Sequence, residues 1–300
     1  MVTTTEFGGY GQFRLESGKL RVTVTELGAT VTELVYHGRS VALGYPAAAD
    51  YLAGGAYVGA IVGRYANRIA GGGFSLNGQR YALSRNEGEN TLHGGTDSWD
   101  KRRWSGEIVG DGVRFTLRSP NGDNGFPGNM TAQVSYTVTD GELRIDFEGE
   151  SDADTVYAPT THLYFNLDGG DVRQHRMQIH AAAWLEVGEG LIPTGRLCPA
   201  VGDFDFSAPR PVDRAYDHCF VLHGEKACTA EAGGVSLTLL TDFPAVQFYT
   251  GEFLGKPFGA FGGFAIEPEF YPDSPNHPEF PTAVLKKGER FHKYAIYRFS

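Results

Sequence analysis

Cysteine is scarce. The chain has three, Cys198, Cys219 and Cys228, among 300 residues. An odd number without metal-ligand spacing argues against a disulfide framework and a structural zinc site, and predicts free thiols in a reducing compartment. The nine histidines never fall at HxxxH spacing, so no metal is expected. Positive charge is also in deficit: 26 basic against 36 acidic residues give a net charge of −10, with no Lys/Arg run. Such a chain repels phosphate backbones, so no nucleic-acid partner is expected. No apolar stretch approaches the length of a membrane span, and "MVTTTEFGGYGQFRLESGKL" has no basic head followed by an apolar block. The expectation is a cytoplasmic protein with no membrane partner. Helical periodicity is nearly absent; only "YPAAADYLAGGA" suggests a short helical turn. Neither a Gly-rich phosphate loop nor a nucleophilic Ser or Cys setting is present.

What is present is period-two alternation. "KLRVTVTELGATVTELVYHG", "GVRFTLRS", "AQVSYTVTDGELRIDFEGE", "VSLTLLT", "AVQFYTG" and "KYAIYRFS" read as strands. In "GFSLNGQRYAL", Asn77-Gly78 predicts a two-residue type I′ turn. The 41 glycines suit tight turns, and 20 Phe with 15 Tyr suit a large core. With no linker or internal repeat, residues 1–300 read as one domain, an all-β, large antiparallel β-sandwich. Three long loops, "SRNEGENTLHGGTDSWDKRRW", "SPNGDNGFPGNM" and "EPEFYPDSPNHPEFPT", stand out as functional candidates.

Four stretches concentrate chemistry. "GRYANRIAGG" offers Arg64, Asn67 and Arg68 after an apolar run, either as a solvated strand end or as an arginine fork for oxygens. "NTLHGG" places His93 before two glycines, which permit close backbone approach to a ligand. "TTHLYFNLDGG" alternates Thr160, His162, Tyr164 and Asn166 on one strand face, facing water or lining a pocket. A histidine there is either a satisfied core residue or a general acid. "FAIEPEFYPD" ends an apolar strand on Glu267, a charged strand end or a partly desolvated base. Asp217 in "AYDHCFVL" reads as a turn aspartate or a ligand contact. Together these residues suggest acid–base chemistry on a small polyhydroxylated ligand.

The ordered set "GRYANRIAGGGFSLNGQRYAL", "NTLHGG", "GFPG", "THLYFNL", "LIPTG", "YDHCFVL" and "EPEFYPDSPNHPEFPT" resembles the aldose 1-epimerases, or galactose mutarotases. The resemblance implies a large twisted β-sandwich that interconverts the α and β anomers of a free aldose such as galactose or glucose, without cofactor. It implies Glu267 as base on the C1 hydroxyl and His162 as acid on the ring oxygen. Arg68, His93 and Asp217 match substrate-binding positions, and Asn67 would support them. The acid and base are expected on opposite sides of the acetal. The chain departs from the family pattern at Thr161, where Asn is usual. Pro268 and Glu269 stand where Thr-Gln is common, and Glu252 where Asn is usual. The added negative charge argues against a sugar phosphate. The expected state is monomer or homodimer. The rival readings are a non-catalytic sugar-binding protein on the same fold, a glycoside hydrolase using Glu267 with Asp217, and a phosphosugar epimerase.

Overall fold

A computed structural model describes residues 1–300. The alternation in the sequence becomes strands because each buries one row of apolar side chains. In Met130–Thr139, Ala132, Val134, Tyr136 and Val138 are buried while the intervening Thr131, Gln133, Ser135 and Thr137 are not. Each large apolar side chain buried this way contributes roughly 1.5–3 kcal/mol.

Three antiparallel sheets carry the architecture. The first five strands, from Val2–Phe7 to Arg39–Ser40, form a five-stranded meander in chain order. A nine-stranded sheet starts with four consecutive strands between Ser105 and Ser151. It then takes in Phe291–Phe299, which pairs with Glu142–Ser151 on one side and Val235–Thr241 on the other. A six-stranded sheet has the order Tyr164–Phe165, Phe264–Glu269, Ala245–Tyr249, Asp217–Leu222, Ala181–Val187 and Pro193–Pro199. One 50-residue apolar cluster joins all three, with Val22 and Val31 from the first, Phe147 and Tyr297 from the second, and Phe248 and Ile266 from the third. No helix is long and apolar enough to cross a membrane.

Local signals are realised where the backbone alone decides them. Leu76 pairs with Gln79 across Asn77-Gly78, and both turn residues have positive φ, 51° and 78°, as a type I′ turn requires. The single α-helix is Ala48–Ala53, within the stretch that suggested a helical turn. The three cysteines are unpaired.

The stretch from Thr160 to Asn166 is not one strand. Thr160–Thr161 pairs with Ile61–Val62, and Tyr164–Phe165 pairs with Phe264 and Ala265. The single-face expectation fails for that reason. His162 and Tyr164 line a cavity, whereas Thr160 and Asn166 tie the backbone together. The Thr160 hydroxyl donates to the Pro268 carbonyl at 2.6 Å. The Asn166 amide donates to the carbonyls of Gly170 and Gly262.

Candidate active site

The strand Phe264–Glu269 lies inside the six-stranded sheet and is buried on both faces. Phe264 and Ile266 enter the main core on one face. Glu267 and Glu269 stand on the other, where a carboxylate is costly to bury. Gln247 is the cross-strand partner of Glu267, and its amide donates to Asp217 Oδ1 at 2.6 Å. Three adjacent strands thus present Asp217, Gln247 and Glu267 as the floor of a cavity of about 620 Å³.

The wall opposite is built from loops. His162 is fixed by its own backbone, with its N–H donating to Ala60 and its carbonyl accepting from Gly59. Its Nε2 lies 3.5 Å from Glu267 Oε1, beyond an ordinary hydrogen bond. Its Nδ1 and the Glu267 Oε2 are both buried without a protein partner. The ring sits between Tyr57 (centroids 5.9 Å apart), His93 (5.3 Å) and Tyr164 (4.9 Å).

His93 is held by main-chain geometry. Leu92 pairs with Arg68, and the backbones of His93 and Asn67 are joined by a His93 N–H to Asn67 carbonyl bond of 3.0 Å. The Asn67 N–H donates to His93 Nδ1 at 3.1 Å. That bond assigns the tautomer: Nδ1 accepts, so Nε2 carries the proton and is a donor. The glycines after His93 serve a different purpose from the one expected. A Cβ on Gly94 would lie 1.8 Å from the Gly63 carbonyl oxygen, so the close approach is to protein backbone rather than to a ligand.

The two arginines of "GRYANRIAGG" part company. Arg68 lines the cavity and is held bidentately by Glu87, at 2.7 and 2.8 Å. Arg64 does bind oxygens, but they belong to the protein. Its guanidinium donates to the carbonyls of Ser119, Pro120, Pro127 and Gly128 and to the hydroxyls of Ser119 and Thr155.

All six residues singled out in the sequence, Glu267, His162, Arg68, His93, Asp217 and Asn67, line this one cavity. The acid and base candidates meet in this cavity, His162 Nε2 lying 3.5 Å from Glu267 Oε1. Sequence reading missed Tyr57, Glu87 and Gln247. Gln247 left a signal, a lone amide on the inward row of "AVQFYTG". Glu87 left none, because its role depends on a partner 19 residues away.

Burial dominates the electrostatics. It pushes the His162 imidazole down to about 4 and the Glu267 carboxyl well above its usual range, with Asp217 adding to the latter and Arg68 opposing it. His93 is lowered by burial and by the neighbouring His162 and Arg68. One proton shared by the two groups can sit on Glu267 or on the His162 imidazole. The form with the proton on the imidazole has the same proton count, so any titration belongs to the pair.

His93, His162 and Glu267 bring potential metal donors within 4.8 Å of one another. His93 suits that role poorly, because its Nδ1 lone pair is engaged by Asn67 and its Nε2 is protonated. The trio is better matched to hydroxyl groups, which both accept and donate.

Comparison with known proteins gives a consistent result. Residues 11–298 match the aldose 1-epimerase family profile. The bovine (Bos taurus) galactose mutarotase is 37% identical, covering 98% of this chain and 95% of that protein. The aldose 1-epimerase of Escherichia coli K12 is 38% identical over 87% of this chain and 85% of its own. Among solved structures, the aldose epimerase homologue from C. elegans superposes with a TM-score of 0.92 at 28% identity, covering 97% of this chain and 99% of that one. The galactose 1-epimerase of Lactobacillus acidophilus gives 0.91 at 25% identity, covering 100% and 98%. A strand-built cavity with a buried carboxyl–imidazole pair, in a chain matching such relatives end to end, leads to one assignment: this protein belongs to the aldose 1-epimerase family.

Proposed function

We propose that the protein interconverts the α and β anomers of a free aldose, such as galactose or glucose, with Glu267 as base and His162 as acid. In the reactive form the pair's proton is on His162, and Glu267, as the carboxylate, takes the proton of the C1 hydroxyl. The O1 electrons form the C1=O1 double bond, the C1–O5 bond breaks, and O5 takes a proton from His162. Rotation about C1–C2 and reversal of the same steps give the other anomer. Proton transfers of this kind contribute roughly 10² to 10⁴ in rate each.

One observation carries the reading. The His162–Glu267 pair is buried, 3.5 Å apart and facing a cavity, with further atoms on each residue lacking a protein partner. A satisfied core histidine would not leave both residues short of hydrogen bonds. A protein that only binds sugar has no use for a buried acid–base pair at this cost. Arg68, His93 and Asp217 are read as holding sugar oxygens, His93 through its Nε2–H. Asn67 is read as support for Arg68 and His93. Because Glu87 already neutralises Arg68, an uncharged hydroxyl suits the guanidinium better than a phosphate. The reading takes residues 1–300 as one catalytic domain acting in the cytoplasm, as monomer or homodimer. Three unpaired cysteines, two of them buried, agree with that compartment.

Polarimetry tests it. Pure α-D-galactose and α-D-glucose are followed to anomeric equilibrium with wild type, His162→Ala and Glu267→Ala. Acceleration by wild type and its loss in both folded variants is the expected result. Sugar binding without acceleration by wild type would reject the catalytic roles.

A further inference from the structure

Glu269 is a second carboxyl that the reaction does not use. It is fully buried, two residues from Glu267 and on the same face of the same strand. Its Oε1 accepts from the Asn67 side-chain amide at 3.2 Å, and its Oε2 has no protein partner. The charged and titratable groups around it are Glu267 on its own strand, Asp217 and Cys219 on the strand Asp217–Leu222, Arg68 beside Asn67, and Tyr65. Arg68 is the one cation in this set, and Glu87 already holds it on two bonds. Two buried carboxylates on one strand face would have no free positive charge to share.

Asn67 is the connection to the site. It sits at φ 63°, its Oδ1 accepts from the Arg68 N–H at 2.9 Å, and its N–H donates to His93 Nδ1. Its side chain is anchored from the other side by Glu269. A protonated carboxyl is the closest match to a primary amide, with one oxygen to accept and one group to donate.

We propose that Glu269 is a positioning residue that stays protonated at neutral pH and anchors Asn67 and, through it, His93 and Arg68. The proposal rests on the reading of the cavity as the sugar site. Burial and the neighbouring Glu267 both raise the Glu269 carboxyl well above its usual range, in the direction this requires.

The test compares Glu269→Gln and Glu269→Ala with wild type. Infrared difference spectra at neutral pH should show a protonated-carboxyl C=O stretch in wild type that Glu269→Gln lacks. Glu269→Gln should keep kcat/KM within about threefold, while Glu269→Ala loses roughly tenfold, chiefly in KM, the equivalent of leaving one buried polar group unpaired. A carboxyl that is neutral folded and ionised unfolded stabilises less as pH rises above about 4, so the melting advantage of Glu269→Gln should grow with pH from there. Absence of the carboxyl band, or a loss in Glu269→Gln as large as in Glu269→Ala, would overturn the proposal. The infrared and melting results do not depend on turnover. If His162→Ala and Glu267→Ala keep full activity, the reading of the cavity fails while these two results still report on Glu269.

Discussion

Two buried polar clusters sit four residues apart in the motif "GRYANRIAGG" and behave oppositely. Arg64, 1% exposed, makes six hydrogen bonds and has nothing left to offer. Around Arg68, the cavity holds His162, Gln247 and Glu267, each buried with an atom that no protein group satisfies. Both clusters cost desolvation. In the first the protein recovers the cost itself, by tying "SPNGDNGFPGNM" to the strand ends at Ser119 and Thr155. In the second the deficit is left open, which is what a site built for a hydroxyl-rich ligand requires. In this motif the saturated cluster is scaffold, and the open one faces the cavity.

The sharpest way to break this contrast is to delete the open cluster. His162→Ala and Glu267→Ala should each lower kcat by roughly 10² to 10⁴, with the double variant little worse than either alone. Melting should be unchanged or higher, since each removes a buried group short of partners. A large loss of stability in both would place them with Arg64. The converse test is Arg64→Met. It strands four carbonyls and two hydroxyls, so urea denaturation should show about 3–5 kcal/mol of lost stability. The remaining folded protein should turn over normally at low temperature. A stability loss under about 1 kcal/mol would refute the scaffold role.

A smaller effect concerns pH. Burial pushes the folded His162 imidazole down to about 4, below its unfolded value of about 6.5. Between these the unfolded chain binds the extra proton, so His162 lowers stability as pH falls through that window, by about 1.4 kcal/mol per pH unit. His162→Gln should flatten the melting temperature over pH 4–6.5, where wild type declines. Equal slopes would mean the imidazole is not desolvated. Smallest of all is Phe253→Ala at the cavity mouth. That ring is 82% exposed, so stability should change by less than about 0.5 kcal/mol, with only KM able to respond.

What the sequence disclosed follows from the range of the forces involved. The Asn77-Gly78 turn, the helix Ala48–Ala53 and the strand alternation are decided within a few residues, and they read directly. The six cavity residues were legible as isolated chemistry and through the ordered motifs. Their roles were less so. Arg64 and Arg68 look alike because what separates them is the partner set, Pro127 and Gly128 carbonyls for one and Glu87 for the other. Thr160 to Asn166 reads as one strand because alternation is intact, yet its two halves pair with different parts of the chain. Gly94 reads as ligand access because nothing local reveals that Gly63 lies against it.

The placement of Phe291–Phe299 has a consequence in time. This strand lies between Glu142–Ser151 and Val235–Thr241, joining early and late halves of the nine-stranded sheet. During synthesis the sheet must wait, split along its middle, until the strand made last among its members arrives. Four strands from Ser105 to Ser151 can associate as a meander, but they expose an unpaired edge on Glu142–Ser151 throughout that interval. Non-local pairing of this kind forms slowly, and until it forms the open edge of Glu142–Ser151 is available to other chains.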